Sequence, residues 1–189
     1  RRESYTEIIN RNKEMHQHMY PQLKAEIEDV YERSVHTKLV LPSMRSLQFG
    51  GRPIEMAHNR IFNCAYAPAE HYRFFSELMF LLLGGTGMGY SVQQRHVGKL
   101  PTVVGPDTRG ARTYQVQDSI IGWADAVKVT VKSFFFGQDL MKMDYRDIRE
   151  KGAELITTGG LAPGPAPLQA CIEGLIGVLD KAVGRHLRP

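Results

Sequence analysis

Four glycines fall within six residues at Gly84-Gly85-Thr86-Gly87-Met88-Gly89, directly after the apolar run Leu78-Met79-Phe80-Leu81-Leu82-Leu83. Glycine is the residue that caps a helix in the left-handed region, and alternating glycines beyond it let backbone come close to a ligand. The spacing predicts a helix over 68–83, with Pro68 in its first turn and Phe74, Phe75, Leu78 and Met79 on a face that covers a sheet. A strand-like segment, Tyr90-Ser-Val-Gln-Gln94, should follow. The glycines come after a helix and no Gly-Lys-Ser/Thr follows them, so neither a Rossmann fingerprint nor a P-loop is present. Upstream, residues 60–67 read as a short strand interrupted by Asn63-Cys64, an arrangement suited to presenting a thiol at a sheet edge.

Composition narrows the function classes. At 189 residues, 42% apolar and 23% charged, the chain can build one real core or a lobe of something larger. It has no apolar run of roughly 20 residues and no signal-peptide core, so a cytoplasmic protein without a membrane partner is expected. The net charge of +4 is scattered, which suits phosphorylated small molecules better than direct nucleic-acid binding. Two cysteines exclude a disulfide framework and a four-cysteine zinc site, and His16, His18 and His36 lack companions at ligand spacing, so no metal site is expected.

A helix over 3–20 should close before Pro21, and a second should start there with Leu23, Ile27, Val30 and Tyr31 on one face. Ser43, Arg45 and Ser46 lie on an irregular segment between Pro42 and the Gly50-Gly51-Arg52-Pro53 turn. Asp118 or Ser119 is a good N-cap for a helix through about Phe136, stopped by Gly137. The last helix, from about Ala166, repeats apolar residues at Leu168, Cys171, Ile172, Leu175 and Leu179, which places Cys171 on a buried face. For Cys64 the residues alone leave two readings open, a small packed apolar side chain or a working thiol.

The ordered set of motifs resembles a known family. Leu41-Pro-Ser-Met-Arg45, Asn63-Cys64, Gly85-Thr-Gly-Met-Gly-Tyr-Ser91 and Leu100-Pro101 are similar to the first half-barrel of ribonucleotide reductase. Asp118-Ser-Ile-Ile-Gly-Trp123, Asp147-Ile-Arg-Glu-Lys-Gly152 and the run from Gly159 to Leu168 resemble the adenosylcobalamin-dependent class II type. The resemblance implies an α/β fold: a helical lead-in over 1–40, then over 41–189 the first half, roughly five strands, of a ten-stranded α/β barrel.

It also implies conversion of ribonucleotides to deoxyribonucleotides by radical chemistry. Cys64 would be one of a redox-active dithiol pair. Ser43, Asn63, Gly85, Gly87 and Gly89 would bind substrate, a ribonucleoside di- or triphosphate. The effector or specificity loop would involve Thr158, Gly159 and Gly160, with Asp118 and Ser119 near it, and a deoxynucleotide as allosteric effector. Adenosylcobalamin would be the cofactor, held mainly by a carboxy-terminal reductase chain that also carries the second redox cysteine, and a thioredoxin-like reductant would restore the dithiol. On this reading the chain is an amino-terminal fragment or split subunit, silent by itself. Two alternatives are a silent nucleotide-binding or assembly remnant and a fragment of a class I reductase.

Overall fold

Ser4 opens the first helix, α1 (Tyr5–Met19): its hydroxyl accepts from the Glu7 N–H and the Glu7 carboxylate accepts from the Ser4 N–H at 2.7 Å. This reciprocal capping satisfies two donors that a helix start leaves without partners. The structure, a computed structural model, describes residues 2–110, 112–155 and 160–189. These form two compact units, one of residues 2–63 and one of residues 64–155 with 160–189.

Every named element among the described residues of the first unit is helical. After α1, Pro21 starts a 3-10 turn (Pro21–Leu23), α2 follows (Lys24–Val30), and a π turn (Tyr31–Val35) continues it. The expected apolar face shifts along the chain. Leu23 and Val30 are exposed, while Tyr31 and Val35 pack with Ile9 of α1. Two short helices, α3 (Met44–Phe49) and α4 (Arg52–Met56), precede a 3-10 turn at His58–Ile61.

The second unit is built of strand–helix–strand repeats. β1 (Cys64–Pro68), α5 (Phe74–Leu83) and β2 (Gly87–Ser91) form the first, with β1 and β2 parallel. After α6 (Gln94–Val97), β3 (Thr113–Gln115), α7 (Ile120–Phe136) and β4 (Lys142–Asp144) form the second, again with parallel strands. α8 (Ala166–Asp180) closes the order. A parallel pair needs a crossover connection, and here each crossover is a helix. Among the described residues the named strands make two separate two-stranded sheets. The mixed helix and strand character is as expected from the sequence.

Several boundaries differ from expectation: the strand after the glycines is Gly87–Ser91 rather than 90–94, with Gln94 already starting α6, and Arg45 and Ser46 lie on α3 rather than on an irregular segment. Pro68 is the last residue of β1 rather than part of a helix, and α5 starts only at Phe74. A proline biases the residue before it to extended backbone and lacks the N–H a ladder would use, so it fits a strand end. The ladder bond passes to the next residue, the Ala69 N–H donating to the Ser91 carbonyl at 2.9 Å. Cys64 begins its strand instead of interrupting one that starts at Arg60, because residues 58–61 take up a 3-10 turn with local N–H bonds such as Arg60 to the Ala57 carbonyl.

The core of this unit surrounds α7. Val127, Val131, Phe134 and Phe135 meet Val103, Val116, Ile148 and Leu168. α5 packs on α7 through Phe75 and Phe135, ring centroids 6.3 Å apart, and Tyr72 meets Phe136 edge-on at 5.2 Å. Gly137 ends α7 in the left-handed conformation, as expected. Among the described residues no helix is long and apolar enough to cross a membrane.

Candidate functional site

The parallel pairing sets Cys64 in register with Gly87 and Tyr66 with Gly89. Side chains alternate along a strand, so Cys64 and Tyr66 share one face, and the two positions opposite them carry no side chain. Ala65 and Ala67 lie on the other face, where Phe74 of α5 reaches Tyr90 with ring centroids 6.3 Å apart. The face of Cys64 is therefore a trough one strand pair wide, floored by glycine backbone.

Cys64 is exposed. This settles the position left open by its residue type: the side chain is not packed. Tyr66 is 65% exposed, an aromatic ring in open solvent on the same face as a free thiol. An added Cβ at Gly89 would stand 3.7 Å from Tyr66 Cδ2, so the ring lies against this glycine. Tyr66 was not singled out by the sequence, although its position two residues after Cys64 is the period-2 signal of a shared strand face.

The glycines have different jobs. Gly85 has φ +89°, its N–H donates to the Leu82 carbonyl at 2.9 Å, and the Thr86 N–H donates to the Leu81 carbonyl at 2.9 Å. That is the paired bonding of a Schellman cap, so Gly85 ends α5 and delivers the chain into β2. Gly87 and Gly89 are strand residues of the trough. The far end of the strand pair is polar, with Ser91 Oγ 2.9 Å from His96 Nδ1 and Lys99 donating to Glu70 at 2.6 Å. That lysine holds the Glu70 carboxyl below its ordinary value.

The other described residues read from the sequence each have a local setting. Ser43 is the N-cap of α3, its hydroxyl accepting from the Ser46 N–H at 3.1 Å. Asn63, the neighbour of Cys64 in the chain, is exposed and outside any helix or strand. Ser119 caps α7, accepting from the Gly122 N–H at 2.9 Å, while Asp118 accepts from Arg149 at 2.7 Å. Gly160 has φ +86°, and its carbonyl accepts from the Leu155 N–H at 3.0 Å, beside the antiparallel bridge of Glu154 and Leu161. Thr158 and Gly159 lie outside the described residues.

Cys171 corrects the sequence reading, because it is exposed rather than buried. The buried face of α8 is Leu168, Ile172 and Leu179. At about 100° per residue Cys171 points roughly 80° away from the centre of that stripe. Neighbouring side chains still remove part of its hydration and push the thiol above its ordinary value.

No family model matches the sequence. Over 152 residues the chain is 32% identical to the adenosylcobalamin-dependent ribonucleoside-triphosphate reductase of Euglena gracilis, covering 77% of this chain and 21% of that protein. Over 72 residues it is 31% identical to a probable adenosylcobalamin-dependent ribonucleoside-triphosphate reductase of Dictyostelium discoideum, 38% of this chain and 10% of that one. A crystal structure of a B-12-dependent (class II) ribonucleotide reductase superposes with a TM-score of 0.83 at 21% identity, over 98% of this chain and 35% of that chain. The chain thus spans 21% of the Euglena relative's length and 10% of the Dictyostelium relative's. By sequence it is a relative of the adenosylcobalamin-dependent ribonucleoside-triphosphate reductases, and by fold it matches a part of a class II ribonucleotide reductase.

Proposed function

We propose that this chain supplies the Cys64 strand of a class II ribonucleotide reductase, which converts ribonucleotides to deoxyribonucleotides. The observation that carries the reading is the register of an exposed cysteine against bare glycine backbone, Cys64 with Gly87, in a chain related to these reductases. A sugar laid over Gly87 meets the thiol with no side chain of β2 in the way.

The chemistry requires a dithiol. When a ribose 2′-hydroxyl leaves as water, its C–O bond breaks and a C–H bond forms, and two thiols give up two electrons and two protons to become one disulfide. Cys64 provides one sulfur. The second comes from a cysteine of a carboxy-terminal reductase chain, and a thioredoxin-like reductant then restores both thiols.

Adenosylcobalamin would supply the radical that makes the 2′ carbon reactive. Beside the exposed thiol lie the glycine backbone of β2 and the Tyr66 ring, a polar-and-aromatic surface along which a nucleoside can lie. These residues fit the nucleotide, and the cobalamin would be held mainly by the carboxy-terminal part of the reductase.

Ser43 and Asn63 serve the substrate's ribose and phosphates, and Gly85, Gly87 and Gly89 lie against the nucleotide. Asp118, Ser119, Thr158, Gly159 and Gly160 respond to a deoxynucleotide effector. The lead-in of 1–40 and the half-barrel of 41–189 complete a ten-stranded barrel with the partner chain. Two short parallel pairs support this, since such strands are stable when both faces are covered.

Reconstitution tests the proposal. The chain, mixed with the carboxy-terminal part of a class II reductase, adenosylcobalamin and a dithiol, forms deoxynucleotide, and C64S abolishes turnover while leaving ribonucleotide binding unaltered. Turnover that survives C64S would sink the assignment.

A further inference from the structure

In the helical unit a buried polar chain leads from the interior to Ser43. Tyr31 donates its hydroxyl to Asn12 Oδ1 at 2.5 Å, and Asn12 Nδ2 donates to both the carbonyl and the hydroxyl oxygen of Ser46, each at 2.8 Å. The Ser46 N–H donates to Ser43 Oγ at 3.1 Å, and the Leu47 N–H donates to the Ser43 carbonyl at 3.0 Å. Asn12 is fully buried, and Ser46 is 5% exposed. Every polar atom of the Asn12 side chain is thereby used, and one residue links α1, the π turn and α3.

The neighbouring residue of α1 holds the other end of α3. Arg11 donates to the Gly50 carbonyl and, at 3.0 Å, to the Leu47 carbonyl, two oxygens that the end of a short helix leaves without helical partners. The approach is close enough to dictate the residue at position 50. A Cβ on Gly50 would stand 2.6 Å from the Ser46 carbonyl oxygen and 2.8 Å from Asn12 Nδ2.

A core that needed only stability has little use for a buried asparagine at this place. A well-packed apolar residue serves as well, whereas a fully satisfied polar network selects one geometry. What this network orients is the turn that carries Ser43. We infer that Asn12 and Tyr31 are positioning residues: through Ser46 they fix the Ser43 hydroxyl in the orientation that meets the substrate. The inference rests on the reading of Ser43 as a substrate contact.

Two measurements on the same variants test it. Y31F and N12A are compared with V35A, which removes a buried side chain of the same cluster but no hydrogen bond of the network. In Y31F and N12A, hydrogen exchange at the Ser46 and Leu47 amides is faster than in V35A at matched melting temperature, and affinity for CTP falls by about tenfold, the size of one well-made hydrogen bond. In V35A the affinity is unchanged.

Unchanged exchange at Ser46 and Leu47 overturns the network. Faster exchange with unaltered CTP affinity, or an equal loss in V35A, reduces it to a packing role and overturns the inference. A wild-type chain without CTP affinity overturns the substrate reading of Ser43 and the inference together, and that outcome is read from the wild type alone.

Discussion

Cys64 and Gly87 stand in register across a parallel strand pair, so the thiol faces a position with no side chain. The same holds two residues along for Tyr66 and Gly89. The trough exists because of what these glycines lack.

Adding one methyl group to its floor should therefore separate binding from folding. A Cβ at Gly89 would lie 3.7 Å from Tyr66 Cδ2 and 3.8 Å from the Ala65 carbonyl oxygen, both ordinary contacts. G89A is expected to keep its melting temperature within about 3 °C of wild type. Ribonucleotide affinity is expected to fall on the order of tenfold, about 1.4 kcal/mol, measured by titration calorimetry. Unchanged affinity would remove the trough from the binding site.

The two cysteines are both exposed, and a thiol reagent should reach each of them in the folded chain. Partial burial raises the Cys171 thiol above its ordinary value, so its thiolate forms only at higher pH. Peptide mass spectrometry after timed iodoacetamide treatment should show Cys171 labelling that lags that of a free model thiol near pH 8 and catches up as pH rises. Labelling at the model rate throughout would contradict the placement of the thiol.

Tyr31 predicts an alkaline limit. Burial pushes its phenol up from 10.0 to about 12. Below pH 10 both folded and unfolded chains keep the proton, and its stabilising contribution is complete. Between pH 10 and about 12 the unfolded chain ionises first, and the contribution is lost as pH rises. Urea melts across this range should show wild-type stability falling more steeply than that of Y31F. Parallel curves would mean that this hydroxyl is not buried as described.

The start of α7 should be sensitive to small changes. S119A removes the cap on the Gly122 N–H and should cost about 1 kcal/mol by urea denaturation. G122A should cost more, about 2 kcal/mol, because its Cβ would stand 2.3 Å from the Gln117 carbonyl oxygen, and a backbone oxygen cannot rotate away. That clash outweighs the roughly 1 kcal/mol by which alanine exceeds glycine in a helix. A G122A chain as stable as wild type would show that the 117–119 turn relaxes freely.

Local signals proved the most readable. The cap at Ser119, the stop at Gly137, the glycine end of α5 at Gly85 and the start of α8 at Ala166 all follow from bonds within a few residues of one another. Pro68 misled, because a proline fits the end of a strand as well as the first turn of a helix, and only the partner Ser91 decides between them. Cys171 misled for a related reason. It lies within the apolar spacing of α8, yet the surfaces that α8 meets bury Leu168, Ile172 and Leu179, half-bury Leu175 and Ile176, and leave Cys171 exposed.

The sequence by itself determined the long helices α1, α7 and α8, the glycine end of α5 and a relationship to the class II reductases, because caps, periodicity and ordered motifs are properties of neighbouring residues. Only the tertiary structure decided that Cys64 begins a strand, lies open to solvent and stands opposite glycine, and that Asn12 joins Tyr31 to Ser46. Strand register and buried polar networks pair residues that are distant in the chain, 23 positions apart for Cys64 and Gly87, and no local pattern encodes such a partner.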